Sequence, residues 1–203
     1  MNDYSFFSAP QLKRDPLGGH TELRDAFTQS YVVTVNDYDD VHRHVASIGR
    51  RPGLTICSVD GYRLSGKTFL VKRLAEDLSL SRFSTDEYRE PDREGRSYVD
   101  QLSLEDLAAD VEAAGKNGPV LVEGICIGWT LLRLKFAAEI RVYCKRMTQT
   151  GLWADDLQNY VANGMPQPHL SPFDREVVVY HLQTSPDDNA TLVYSWDGDA
   201  LAA

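Results

Sequence analysis

Basic residues are in deficit: 21 Lys and Arg stand against 30 Asp and Glu over 203 residues, a formal net charge of −9. That balance argues against a general nucleic-acid or anionic-membrane surface, so any phosphate must be caught locally. Cysteine is scarce as well. Cys57, Cys126 and Cys144 sit in apolar segments without metal-ligand spacing, and read as reduced core residues of a cytoplasmic protein. No apolar run approaches the ~20 residues of a membrane span, and the first residues lack an apolar signal core. The expectation is a soluble cytoplasmic protein with no membrane partner. Apolar content of 42% and charged content of 25% are ordinary, and the length suits one domain, alone or with an extension.

What is present centres on Leu54 to Leu70, LTICSVDGYRLSGKTFL. Leu54, Ile56 and Val59 suit a short buried strand. Gly61-Tyr62-Arg63-Leu64-Ser65-Gly66-Lys67-Thr68 then matches G-x-x-x-x-G-K-[ST] in full, and Phe69, Leu70, Leu74, Ala75 and Leu78 recur at helical spacing. Strand, glycine-flanked loop and helix are the context a phosphate-binding loop requires. Gly61 and Gly66 permit a turn whose amides point inward as a nest for phosphate oxygens. The helix N-terminus adds free donors and partial positive charge. Lys67 reaches the β and γ phosphates, and the Thr68 hydroxyl is a ligand for Mg²⁺. The loop predicts nucleotide binding.

Pro10, Pro16 and Gly18-Gly19 suggest an extended arm over residues 1–20, and residues 21–29 fit a short helix. Tyr31 to Val35 reads as a strand or an extended link, and Val41, Val45 and Ile48 as a helical stripe ending at Gly49. Downstream, strands are expected at Leu80 to Thr85, Val120 to Val122, Ile140 to Tyr143 and Thr191 to Trp196. Helices are expected after Ser103, over Trp129 to Ala138 and over Phe173 to Leu182. This alternation predicts an α/β fold, a doubly wound parallel sheet of about five strands with flanking helices. Asp60, Asp86 and Glu123 fall at the ends of three of those strands, where such sheets bind ligands.

Four stretches, VDGYRLSGKT, FSTDEYRE, VLVEGI and YHLQTSPDDNATLVYSW, carry a resemblance to the uridine kinase and phosphoribulokinase branch of the P-loop kinases. It covers about Leu54 to Trp196. The resemblance implies a P-loop kinase-like domain over 53–203, with 1–52 as an N-terminal extension, arm plus helix, packing on it. It also implies ATP-dependent phosphorylation of a hydroxyl on a nucleoside, sugar or related metabolite. Under it, Gly61 to Thr68 hold the triphosphate, and Thr68 with Glu123 or Asp86 holds Mg²⁺. Asp86 is the candidate general base, Tyr88 and Arg89 contact the acceptor, and Glu123 and Arg141 complete the substrate site. Asp86 also fits a helix cap or a solvated loop.

One departure stands out. Kinases of this class resemble one another in placing arginines in a lid after the fourth strand, where they stabilise the transferring phosphoryl group. Here Lys145 and Arg146 begin that region, yet Met147 to Asp174 contains no Lys or Arg. Arg146, Arg141 or Arg175 would have to substitute, with Arg146 the catalytic candidate. The rival reading is a nucleotide-binding ATPase or switch protein without small-molecule kinase activity. A third is a kinase modifying a sugar nucleotide or macromolecule. A homodimer is left open.

Overall fold

The computed structural model describes residues 32–49, 53–90, 93, 95–154, 157 and 170–197. The expected arm and first helix lie outside them, as does half of the segment from Met147 to Asp174. Six parallel strands make one sheet: β1 (Val33–Val35), β2 (Ile56–Asp60), β3 (Ser81–Ser84), β4 (Val120–Glu123), β5 (Ile140–Met147) and β6 (Leu192–Asp197). Their spatial order is β1-β6-β5-β2-β4-β3. Because β2 lies between β4 and β5, the winding reverses beside it, and the carboxyl end of β2 opens at the switch point.

A parallel sheet is stable when helices cover both faces, and the strand sequences show that burial. In β2, Cys57 and Val59 face α1 (Tyr38–Ala46) and α2 (Lys67–Leu78), which bring Val41, Val45, Leu70, Val71 and Leu74 onto them. Ile56 turns the other way with Val120 and Val122, under α3 (Leu104–Gly115) and α4 (Ile127–Leu134). The two-residue period of a strand makes this division. A final helix, α5 (Pro172–Thr184), is capped by Ser171, whose hydroxyl accepts from Asp174 N at 3.0 Å, with Pro172 in its first turn. Its Val177 and Tyr180 pack with Tyr62, Tyr98 and Cys126.

The expected α/β class holds, with three differences in detail. Val33–Val35 is a true strand, paired with β6 in the register Val33↔Leu192 to Val35↔Tyr194, and supplies the sixth. α4 starts two residues early and stops at Leu134, because Lys135 adopts a left-handed conformation (φ 59) that returns its amide to the last turn. β5 runs four residues past Tyr143, because Lys145 to Met147 continue the ladder with β6. Beyond it the chain folds back, with Met147 bridged to Trp153 in antiparallel sense.

Candidate active site

The glycine-flanked loop leaves β2 at the switch point. Gly66 has φ +90, and a side chain there would meet the Trp196 indole at 2.6 Å, so both backbone and space demand glycine. α2 begins at the next residue with no side chain capping its first amides, the arrangement that receives anions. Trp196, at the end of β6, donates from Nε1 to Ser65 O at 2.6 Å and so braces the loop from outside. Leu64 sits at the tip with φ 58, 76% exposed, and Arg63 lies over the Phe173 ring at 5.9 Å.

Lys67 is buried, and its ammonium donates to Gly61 O at 2.9 Å and Tyr62 O at 2.7 Å. Phosphate oxygens entering the loop would therefore compete with the loop's own carbonyls for this cation. Ser65 Oγ, also buried, has no hydrogen-bond partner among the described residues, and a loop that receives an anion gives such a hydroxyl one. Thr68 donates to Glu123 Oε1 at 3.0 Å, and Glu123 is only 2% exposed. Thr68 and Glu123 thus form a compact pair of hard oxygen donors beside the lysine, suited to Mg²⁺, which takes few protein ligands and fills its shell with phosphate and water. No cluster of three or more metal-ligating side chains occurs among the described residues.

Asp86 follows β3, whose Ser84 pairs with Glu123. Its carboxylate is exposed and accepts from Tyr98 OH at 2.7 Å, while the same hydroxyl meets Thr85 Oγ1 at 2.7 Å. Asp86 thus lies in the first turn of a short 3₁₀ helix (Thr85–Tyr88), two residues beyond the Ser84 that pairs with Glu123. Arg146 pairs in register with Trp196, the residue whose indole bonds the loop, and its guanidinium donates to Ala154 O at 3.3 Å.

Of the expected substrate residues, Arg141 is set apart, Tyr88 is engaged elsewhere, and Arg89 lies 5.8 Å over the ring of the Tyr98 that bonds Asp86. Arg141 lies near the amino end of β5, with Nε donating to Asn189 O at 2.8 Å. Strand direction puts it away from the carboxyl ends. Tyr88 turns onto α3, donating to Asp110 Oδ2 at 2.7 Å, and Arg89 donates to Gln101 Oε1 at 2.6 Å. A surface cavity of about 430 Å³ is lined in part by Arg93, Arg96, Asp100 and Arg133. Arg93 and Arg133 already pair with Glu90 and Asp100.

Other residues matter that the motif does not contain. Asp60 is buried, accepts from Gly61 N at 2.7 Å, and also accepts from Tyr180 OH. Burial pushes its carboxyl up to about 6, against the pull of those donors and of Lys67. His181 stacks on Tyr62 at 4.0 Å between ring centroids, with 6° between planes. Its Nδ1 bonds Val177 O and its Nε2 lies 2.7 Å from Tyr143 OH, so the ring donates to the former and accepts from the latter. Burial lowers its pKa to about 4. In sequence, Asp60 carries a signal as an acid at a strand end, and Tyr180, His181 and Trp196 fall in the last of the four resembling stretches, but nothing local ties them to a loop more than a hundred residues away.

Strand order, the glycine loop at the switch point and acids on the neighbouring strand ends together define a P-loop α/β protein. No protein-family model and no curated protein matches the chain. Among solved structures, a possible uridine kinase from Bacillus stearothermophilus is similar at 17% identity, TM-score 0.49, over 85% of this chain and 99% of its own. A shikimate kinase from Acinetobacter baumannii, in complex with shikimate, is similar at 15% identity, TM-score 0.38, over 70% of this chain and 82% of its own. Likenesses of this size assign neither substrate nor mechanism.

Proposed function

We propose that the protein is an ATP-dependent phosphotransferase that moves the γ-phosphoryl group of Mg·ATP to a hydroxyl of a small molecule, a nucleoside, sugar or related metabolite. The observation that carries this reading is the placement of Asp86. Its exposed carboxylate stands one strand over from the Thr68–Glu123 pair, held from behind by Tyr98. A carboxylate so placed can take a proton from an acceptor hydroxyl or from water, so the acceptor panel below is what separates transfer from hydrolysis. In this reading Lys67 and the loop amides hold the phosphates, and Thr68 and Glu123 hold Mg²⁺, which neutralises charge on the transferring group. Asp86 takes the acceptor proton as the hydroxyl oxygen bonds to phosphorus and the β–γ bridge breaks to release ADP.

The test is a pair of variants assayed for ADP affinity and for turnover with a panel of hydroxylated metabolites. Lys67→Ala should lose nucleotide binding. Asp86→Ala should keep it and lose about 10²–10⁴ in kcat. Equal loss of affinity in both would remove Asp86 from the base role, and turnover accelerated by no hydroxylated compound would favour the ATPase or switch reading.

A further inference from the structure

α5 touches both halves of this site from one face. Phe173, Glu176, Val177 and Tyr180 recur at i, i+3, i+4 and i+7, a spacing that puts them on one side of the helix. Near its start, Phe173 packs edge-on against Tyr98 at 5.7 Å between centroids, and Glu176 Oε2 accepts from Tyr98 N at 2.7 Å. Tyr98 is the residue that holds Asp86. About 10 Å further along the helix axis, Tyr180 grips Asp60 and through it Gly61 N, and His181 stacks on Tyr62. Tyr98 and Tyr180 are each 1% exposed, so these contacts are made out of water.

The two loop residues gripped by α5 are the two whose carbonyls hold the lysine. Lys67 donates to Gly61 O and Tyr62 O, and phosphate draws the ammonium off both. Nucleotide binding therefore acts directly on the residues that α5 touches. We propose that α5 couples the nucleotide loop to the acceptor-side turn: Tyr180 positions the loop through Asp60, Glu176 positions Asp86 through Tyr98, and filling the loop orders the Asp86 turn. This rests on the loop binding nucleotide, and makes both residues positioning residues rather than catalytic ones. Such coupling is reciprocal, so an acceptor that seats Asp86 tightens the hold on nucleotide by the same factor.

The test needs no acceptor. Hydrogen exchange of the full chain is followed at Thr85–Tyr88 and Val99–Gln101 with and without ADP, beside ADP affinity. ADP should slow exchange there roughly tenfold in the wild type, a coupling of ordinary size. Glu176→Ala should abolish that slowing while holding ADP affinity within about twofold, and Glu176→Gln, which keeps a carbonyl acceptor, should restore it. Tyr98→Phe, which keeps the ring and deletes the hydroxyl shared by Asp86 and Thr85, should lose the slowing at Thr85–Tyr88 even if the alanine variant melts early. Undiminished slowing in both Glu176→Ala and Tyr98→Phe, or ADP binding that slows nothing in the wild type, would overturn the coupling alone. A wild type that does not bind ADP would overturn the nucleotide reading beneath it.

Discussion

Asp60, bonded by Tyr180, and His181, stacked on Tyr62, shift in opposite directions. Burial raises the Asp60 carboxyl from 3.8 to about 6, with Tyr180, Gly61 N, Lys67 and Asp187 as the groups around it. Its contribution to stability is present below pH 3.8 and lost as pH rises through about 6. Burial lowers His181 from 6.5 to about 4, with Asp187, Lys67 and Lys145 nearby. Its contribution is present above pH 6.5 and lost as pH falls toward about 4. Asp60→Asn should therefore raise Tm at pH 8, where a desolvated carboxylate is removed, and leave it nearly unchanged around pH 4, where the wild-type group is protonated. Thermal melts at the two pH values check this, and an equal shift at both would mean that charge burial is not the cause. At this scale the sequence showed the eight loop residues plainly, because local backbone demands write themselves as Gly61, Gly66, Lys67 and Thr68. It did not show Tyr180 or Trp196 as their supports, because a side-chain hydrogen bond across 120 or 131 residues leaves no local pattern.

Elements were legible where periodicity is strong, as in α2 starting at Lys67 and the VLV run of β4. They were less so where tertiary pairing overrides composition. Charged Lys145 and Arg146 read as the start of a lid, yet they extend β5, since β6 offers a ladder out to Met147↔Asp197. This extension sets Arg146 in register with Trp196, whose indole bonds Ser65 of the loop. Lys145 is held away from it by Asp187 at 2.8 Å and by the Trp153 ring at 4.2 Å. Under the proposed transfer reading, Arg146 is the strand-borne candidate for stabilising the transferring phosphoryl group. Arg146→Ala should lower kcat about a hundredfold with little change in ADP affinity, the size expected for one lost donor to a developing charge. Arg141→Ala, at the other end of the same strand, should leave both unchanged. Steady-state kinetics of the two variants side by side would decide, and an Arg141 effect equal to that of Arg146 would refute the assignment by strand position.

Over the whole molecule, the sequence suggested a boundary near residue 52, where Arg-Arg-Pro-Gly interrupts the pattern. Packing runs straight across that point. Val35, Val41, Val45 and Ile48 are buried in the same cluster as Val59, Leu70, Val71 and Leu74, and Tyr38 donates to Asp77 at 2.6 Å beneath the Arg73 guanidinium. Each buried aliphatic side chain contributes about 1.5–3 kcal/mol, so removing four of them takes away roughly 6–12 kcal/mol as an upper bound. Domains of this kind have only about 5–15 kcal/mol in hand. A fragment comprising 53–203 should then be unfolded or aggregated, and ADP should not raise its Tm. The full chain should gain several degrees at saturating ADP, because a ligand at a hundred times its Kd adds about 2.7 kcal/mol. A soluble 53–203 fragment with an undiminished ADP shift would show instead that α1 and β1 are dispensable cover, and that the nucleotide site is held by β2 to β6 alone.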